Sequence, residues 1–371
     1  MKELQRTTAG WLQSARPQGK TGAPQLEDVR ETRIAYDSRR DPAAPFSVYD
    51  FALRAPPERI PILSVSEFEA LLKSPALVWL KKYLGLEGDD DSNPWSAATG
   101  QWVHHWLAHV GGVNAGKKFV PLPDKSEIDG KIRTAAEQKC AEIRLLCQSV
   151  GKQVPDWWNS GWQNAFCLAR HLGTKLATVE GWPWMATEWT IDGAAPTNVI
   201  GDVSLQFRGR IDLLLARREC KSLQTDELWI LDYKTGASKK ALVPAREDTD
   251  KRKSQLHKKI LDGSVLQLGL YAFAARDLGA TNVFLSLLSP VVNPVSPQLS
   301  VADIDAEADI FRELARIQQT GVFGMRGPVR SAWTFTRDYP LATLAVDEDI
   351  LEERWELTHP ALARDEEEFY W

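Results

Sequence analysis

FRGRIDLLLARRECKSLQTDELWILDYKTG, residues 207–236, is the stretch on which the fold turns. Two apolar runs, 205–216 and 228–234, flank a polar segment as two strands flank a turn. Each run carries one carboxylate that its neighbours do not foretell, Asp212 in the first and Asp232 in the second, and Lys234 follows two residues later. Side chains alternate with period two along a strand, so Asp232 and Lys234 share a face. With the turn centred on Ser222, antiparallel pairing sets Asp212 opposite Asp232, about 5 Å apart at Cβ, and all three side chains project to one side. A slip of one residue, or a bulge, would break that arrangement.

A carboxylate inside an apolar run is costly to bury unless it meets a cation. Two carboxylates that close repel each other unless a divalent cation lies between them. Mg²⁺ takes oxygen ligands, usually one or two carboxylates with waters and substrate phosphate. Such an ion lowers the pKa of a bound water and neutralises charge developing on a phosphate. Lys234 would then orient that water or stabilise the transition state. The constellation reads as a metal-dependent phosphodiester-cleaving site. An Asp–Lys pair on an exposed edge strand is the plainer alternative. Against it, Leu213, Leu214, Leu215, Trp229, Ile230 and Leu231 give the strands the look of burial on both faces.

Composition narrows the rest. Of 371 residues, 43% are hydrophobic and 26% charged, as in ordinary globular proteins with enough apolar content for one large domain or two modest ones. No run approaches the ~18 consecutive apolar residues of a membrane helix. The first 20 residues lack the apolar core of a secretory signal, so cytoplasmic localisation without a membrane partner is expected. The net charge of −5 hides a division. From Asp347 onward ten acidic residues face Arg354 and Arg364, a net of −8, which leaves +3 on residues 1–346. A basic body is compatible with a polyanionic partner. Cys140, Cys147, Cys167 and Cys220 form no CxxC pair and read as small hydrophobes or idle thiols. The fifteen tryptophans follow no period and read mostly as packing.

Outward from the hairpin, helical patterns come first. Ser64, three residues before Glu67, marks a capping box, and Pro75 places a break near Ser74. Further helices are expected at about 95–110, 126–150 and 159–180, then strands at 185–191, 205–216 and 228–234. A helix at 264–278, a strand at 282–289 and a helix at 301–319 follow. The order predicts an α/β fold: a small central mixed sheet flanked by helices, with an N-terminal helical annex. Residues 1–61 read as an arm or irregular extension, 62–345 as the main domain (helical part 62–180, sheet core 181–290), and 346–371 as an acidic tail.

Several motifs now fall into order. Gly209-Arg-Ile-Asp212, Leu231-Asp-Tyr-Lys-Thr-Gly236 and Gln267-Leu-Gly-Leu-Tyr271 follow Ser64-Val-Ser-Glu-Phe68, Gly100-Gln-Trp-Val-His104 and Glu188. Over about residues 62–290 the chain resembles the PD-(D/E)XK nuclease superfamily, within it the RecB/AddB-type nuclease domain of bacterial recombination and repair. The resemblance implies a restriction-endonuclease-like core and a Mg²⁺- or Mn²⁺-dependent nuclease. It makes Asp212, Asp232, the Tyr233 carbonyl and His104 metal ligands, Lys234 the catalytic lysine and Glu188 a support of the site. It sets Gln267 and Tyr271, four apart on one helical face, to line the cleft and contact substrate or the lysine. His104 lies beside the apolar stripe of Trp102, Val103, Trp106, Leu107 and Val110.

The chain also departs from that family. Relatives with an iron–sulfur cluster carry a cysteine ahead of a proline in the first helix and three more near the C-terminus. Here Ser74 precedes Pro75, and no cysteine follows Cys220, so no cluster is expected; residues 331–340 read as its apolar replacement. Two other motifs fail. Gly111-Gly-Val-Asn-Ala-Gly-Lys117 has the skeleton of a phosphate loop, but Lys118 replaces the hydroxyl residue and no strand precedes it. Asp89, Asp91 and Asn93 begin like a calcium loop, but Pro94 replaces its glycine. Residues 239–259 carry eight basic and three acidic residues. They read as a mobile, solvated loop or as a phosphate-contacting flap, with Lys239, Lys240, Lys251, Arg252 and Lys253 as candidate nucleic-acid contacts. The resulting expectation is a DNA nuclease, on single or double strands, with a helicase or other subunit as partner. The competing expectation is a catalytically silent nucleic-acid-binding subunit of such an assembly.

Overall fold

The computed structural model describes residues 30, 33–34, 37–48, 50–73, 75–85, 94–114, 116, 118–154, 158–191, 197–198, 204–235, 249–290, 299–305, 309–326 and 348–362. In chain order the elements are β1 (Leu63–Ser64), α1 (Val65–Lys73), α2 (Pro75–Leu84), α3 (Pro94–Ala108), β2 (Val120–Pro121), α4 (Lys125–Ser149) and α5 (Trp158–Leu176). Then come β3 (Trp184–Ile191), β4 (Thr197–Asn198), β5 (Ser204–Leu205), β6 (Phe207–Ala216), β7 (Glu227–Tyr233), α6 (Thr249–Leu261), α7 (Leu266–Asp277) and β8 (Asn282–Leu288). The chain continues through β9 (Leu299–Ser300), α8 (Val301–Asp305), α9 (Asp309–Thr320) and α10 (Glu348–Thr358).

Seven strands form one mixed sheet in the order β2-β3-β6-β7-β8-β9, with β1 paired to β6, while β4 and β5 pair separately. β3, β6 and β7 are antiparallel, and β8 runs parallel to β7 with α7 between them in sequence. This is the helix-flanked mixed sheet that the alternation of patterns predicts. The hairpin register is also the expected one. Leu213 opposes Leu231 and Ala216 opposes Leu228, so one further step would bring Asp212 opposite Asp232.

The centre of the sheet is buried on both faces, and alternation divides it. Leu214, Ala216, Leu228 and Ile230 join the core beneath α1, α7 and α9. Leu213, Leu215, Trp229 and Leu231 join the core beneath α3, α4 and α5. Helix α7 shows why it lies centrally: eight consecutive residues, Leu268–Ala275, are buried, an all-round apolar helix that only a position between sheet and helix satisfies. The capping box forms, with Ser64 N donating to Glu67 Oε2 at 2.8 Å and Glu67 N to Ser64 Oγ at 3.3 Å. Most described tryptophans pack, as Trp102 on Trp106 and Trp158 do on the α3–α5 face.

Some expectations need correction. The 249–259 part of the basic segment is not a loop or flap; it is helix α6, held by buried Leu256 and Ile260 on one face. Lys251 and Lys253 are exposed on that helix, Arg252 is half-buried, and Lys253 pairs with Asp303 at 2.8 Å. Lys239 and Lys240 lie outside the described residues, as does the 331–340 stretch. The 205–216 strand is divided at Gln206 into β5 and β6, and within 301–319 the described residues are helical as α8 and α9. Described parts of residues 37–50 and 348–362 also pack on each other. Asp50, 1% exposed, accepts from Arg39 Nε at 2.6 Å and from Arg354 Nη2 at 3.2 Å, and Arg354 lies over the Phe46 ring. Trp355 stacks on His359, whose burial pushes its pKa down to about 3 and so keeps the ring neutral. Removing one partner of a buried ion pair strands the other, so Asp50→Ala is expected to cost about 3 kcal/mol in denaturant unfolding.

Candidate active site

The β6–β7 ladder stops at Leu213 and Leu231, and the next residue on each strand is an aspartate. Where the ladder stops, Tyr233 N donates to Asp212 Oδ2 at 2.9 Å, a side-chain substitute for the missing strand bond. The other oxygen, Asp212 Oδ1, lies 3.1 Å from His104 Nδ1. Asp232 is held in the same two-sided manner. Gln267 Nε2 donates to Asp232 Oδ1, and Lys234 Nζ lies 2.9 Å from Asp232 Oδ2. Each carboxylate thus has both oxygens engaged by different elements, which fixes its rotation.

The elements arrive from opposite sides of the sheet. His104 comes from α3, whose neighbours Val103, Trp106 and Leu107 are buried, and its ring meets the Tyr233 ring edge-on at 5.5 Å. Gly100, one turn earlier, lets α3 approach: a Cβ there would lie 3.2 Å from Thr235 Oγ1. Gln267 comes from α7. The structure therefore brings His104, Glu188, Asp212, Asp232, Tyr233, Lys234, Gln267 and Tyr271 into one region.

Gln267 and Tyr271 both reach the hairpin from α7. Gln267 touches Asp232. Tyr271 clamps the strand: its hydroxyl donates to Arg210 O at 3.0 Å and accepts from Arg210 N at 3.1 Å. Glu188 stands in the middle of β3 with φ +56. That left-handed conformation costs a non-glycine residue on the order of 1–3 kcal/mol. Its neighbours oppose Leu213 and Ile211, which places Glu188 across from Asp212, and its carboxylate pairs with Arg210. Arg210 is a residue that the motif reading missed; its place two residues before Asp212 on one strand face was the available signal.

The glycine loop rejected as a phosphate cradle has a structural task here. Gly116 N donates to Thr187 O, and Gly116 itself has φ +74. A Cβ at 116 would lie 2.6 Å from Glu188 O. Gly116→Ala is therefore expected to cost about 1–3 kcal/mol and to disturb Glu188, seen as a lower melting temperature.

The electrostatics point to a missing positive charge. Burial, together with Asp212, pushes the Asp232 carboxyl up to about 6 despite Lys234 and His104. Burial also raises Glu188, with Asp212 adding to it against Arg210. Burial opposes protonation of His104 and Lys234, but the surrounding carboxylates win and hold both above their usual values. Asp232 Oδ2 is buried without an aligned hydrogen bond. Among the described residues no three His, Cys, Asp or Glu side chains already converge on a metal position. The donor set still suits a hard divalent cation, which usually takes one or two carboxylates and fills its other positions with water. In an extended strand a residue's C=O leaves on the same side as its N–H, so the Tyr233 carbonyl leaves β7 on the side of β6.

These groups gather where the β6–β7 ladder of the mixed sheet ends, and comparison with known families says what such a chain is similar to. A sequence model described as the PD-(D/E)XK nuclease superfamily matches residues 62–334. The chain belongs to that superfamily, whose members are nucleases that typically use divalent metal ions. A search of curated proteins finds no match. No helix among the described residues is long and apolar enough to cross a membrane.

Proposed function

We propose that the chain is a Mg²⁺- or Mn²⁺-dependent DNA nuclease of the RecB/AddB-like kind, without an iron–sulfur cluster, acting in cytoplasmic DNA repair, recombination or defence beside a helicase or other partner. The observation that carries this reading is the Asp232–Lys234 pair next to Asp212, with the Asp232 carboxyl raised for want of positive charge. Asp212, Asp232, the Tyr233 carbonyl and His104 would hold the ion. When bound, the ion would supply an acidified water and neutralise phosphate charge.

The chain's own residues do the rest. Gln267 and His104 keep the two carboxylates from rotating. Lys234, kept protonated by its surroundings, cannot act as a base; it donates to and stabilises charge developing on the phosphate. Residues 62–345 form the catalytic unit, flanked by the arm and the acidic tail. Lys251, Arg252 and Lys253 on α6, with Lys239 and Lys240, supply phosphate contacts.

Purified protein should cut single- or double-stranded DNA on addition of Mg²⁺, and Asp212→Ala should not. Equal cutting by the variant would sink the assignment, and cutting of RNA in preference to DNA would change the substrate class. A second reading, a silent or partner-activated subunit, rests on the absence of three converging ligands among the described residues.

A further inference from the structure

Arg210 is held in a way that its pairing with Glu188 alone does not explain. Its main chain is fixed on both polar atoms by one hydroxyl, that of Tyr271. The preceding Gly209 makes room for that ring, since a Cβ at 209 would lie 2.6 Å from Tyr271 Cε1 and 2.9 Å from Val65 Cγ2. The guanidinium is fixed at its inner end, where Nε meets Glu188 Oε2. Glu188 adopts a left-handed backbone in the middle of a paired strand to make that contact. Even so, the Arg210 side chain stays 65% exposed. Among the described residues no side chain or carbonyl engages its two terminal nitrogens.

An arginine anchored at Cα and at Nε presents its outer fork in one orientation with little entropy left to lose on binding. That fork matches two oxygens of a phosphate. The location also calls for a cation. A phosphodiester approaching Asp212 and Asp232 meets two carboxylates, and Arg210 is the exposed positive group two residues from the first of them on the same strand face.

We propose that Arg210 grips a phosphate of the nucleic-acid strand beside the reacting carboxylates, with Glu188 and Tyr271 as its positioning residues. The inference rests on the nuclease reading and adds a substrate-binding residue to it.

The test is an anisotropy titration of fluorescein-labelled single-stranded DNA with the full chain in EDTA, over a series of KCl concentrations. Arg210→Ala should bind about tenfold more weakly, and the slope of log Kd against log salt should become shallower by about 0.7, the loss of one phosphate contact. Arg210→Lys should keep the wild-type slope, because a single charge still meets the phosphate. Mn²⁺ affinity, read by calorimetry on the same variants, should not change. An Arg210→Ala chain that keeps the wild-type slope overturns the proposal, as does one that loses Mn²⁺ affinity together with DNA affinity. A wild-type chain without salt-dependent DNA binding defeats the nuclease reading itself, a separate and visible failure.

Discussion

A Lys234→Ala chain is expected to cleave DNA about 10³-fold more slowly than wild type at saturating Mg²⁺, with its fold and its metal affinity retained. The magnitude is that of removing one preorganised donor from a site where transition-state charge develops. Lys234 suits that role because its ammonium is held 2.9 Å from Asp232 while a quarter of the side chain stays exposed. Its protonation is secured by Asp232, Glu69 and Asp212 against the cost of burial. The loss should fall on the maximal rate rather than on apparent DNA affinity, since the interaction is made in the transition state. Single-turnover cleavage, with circular dichroism as the control for folding, measures it. A variant within tenfold of wild type would leave Lys234 as a structural counterion only.

The second large effect runs in opposite directions for activity and stability. Asp232→Asn is expected to abolish cleavage and to stabilise the metal-free protein by about 3 kcal/mol at pH 7. Folded, the Asp232 carboxyl keeps its proton to about pH 6; unfolded, a carboxyl of this kind releases it near ~3.9. Between those values the folded chain binds more protons than the unfolded one, so this residue's contribution to stability declines as pH rises through that window. Above pH 6 the penalty is constant, and asparagine removes it. Urea unfolding at pH 4 and pH 7 should show wild type and variant close together at the lower pH and separated at the higher. Equal stability at both values would mean that the ionised carboxylate is already compensated.

How much of this was legible in the sequence depends on the range of the forces involved. The β6–β7 register follows from alternation and a turn centred on Ser222, both local, and Leu213 does oppose Leu231. His104 was legible through the Gly100-to-His104 register of the family resemblance; the core-facing Val103, Trp106 and Leu107 only left it to one side. The Glu188–Arg210 pair was not legible, because it depends on a positive φ that Gly116, far away in sequence, helps to hold. Helix α6 was hidden by its charge: Leu256 and Ile260 give only a thin apolar stripe in a run of lysines and arginines. The acidic tail misled in a similar way. Glu352, Glu353 and Glu356 dominate its composition, whereas the docking of α10 comes from Trp355 and from an arginine whose partner, Asp50, lies at the other end of the chain.

The central claim is that Asp212 and Asp232 are arranged for a divalent cation. Isothermal titration of the metal-free chain with Mg²⁺ and Mn²⁺ at pH 7 tests it most directly. The account predicts saturable binding in the micromolar-to-millimolar range by wild type and none by Asp232→Asn. No binding by wild type at millimolar metal, or equal binding by the variant, would contradict it.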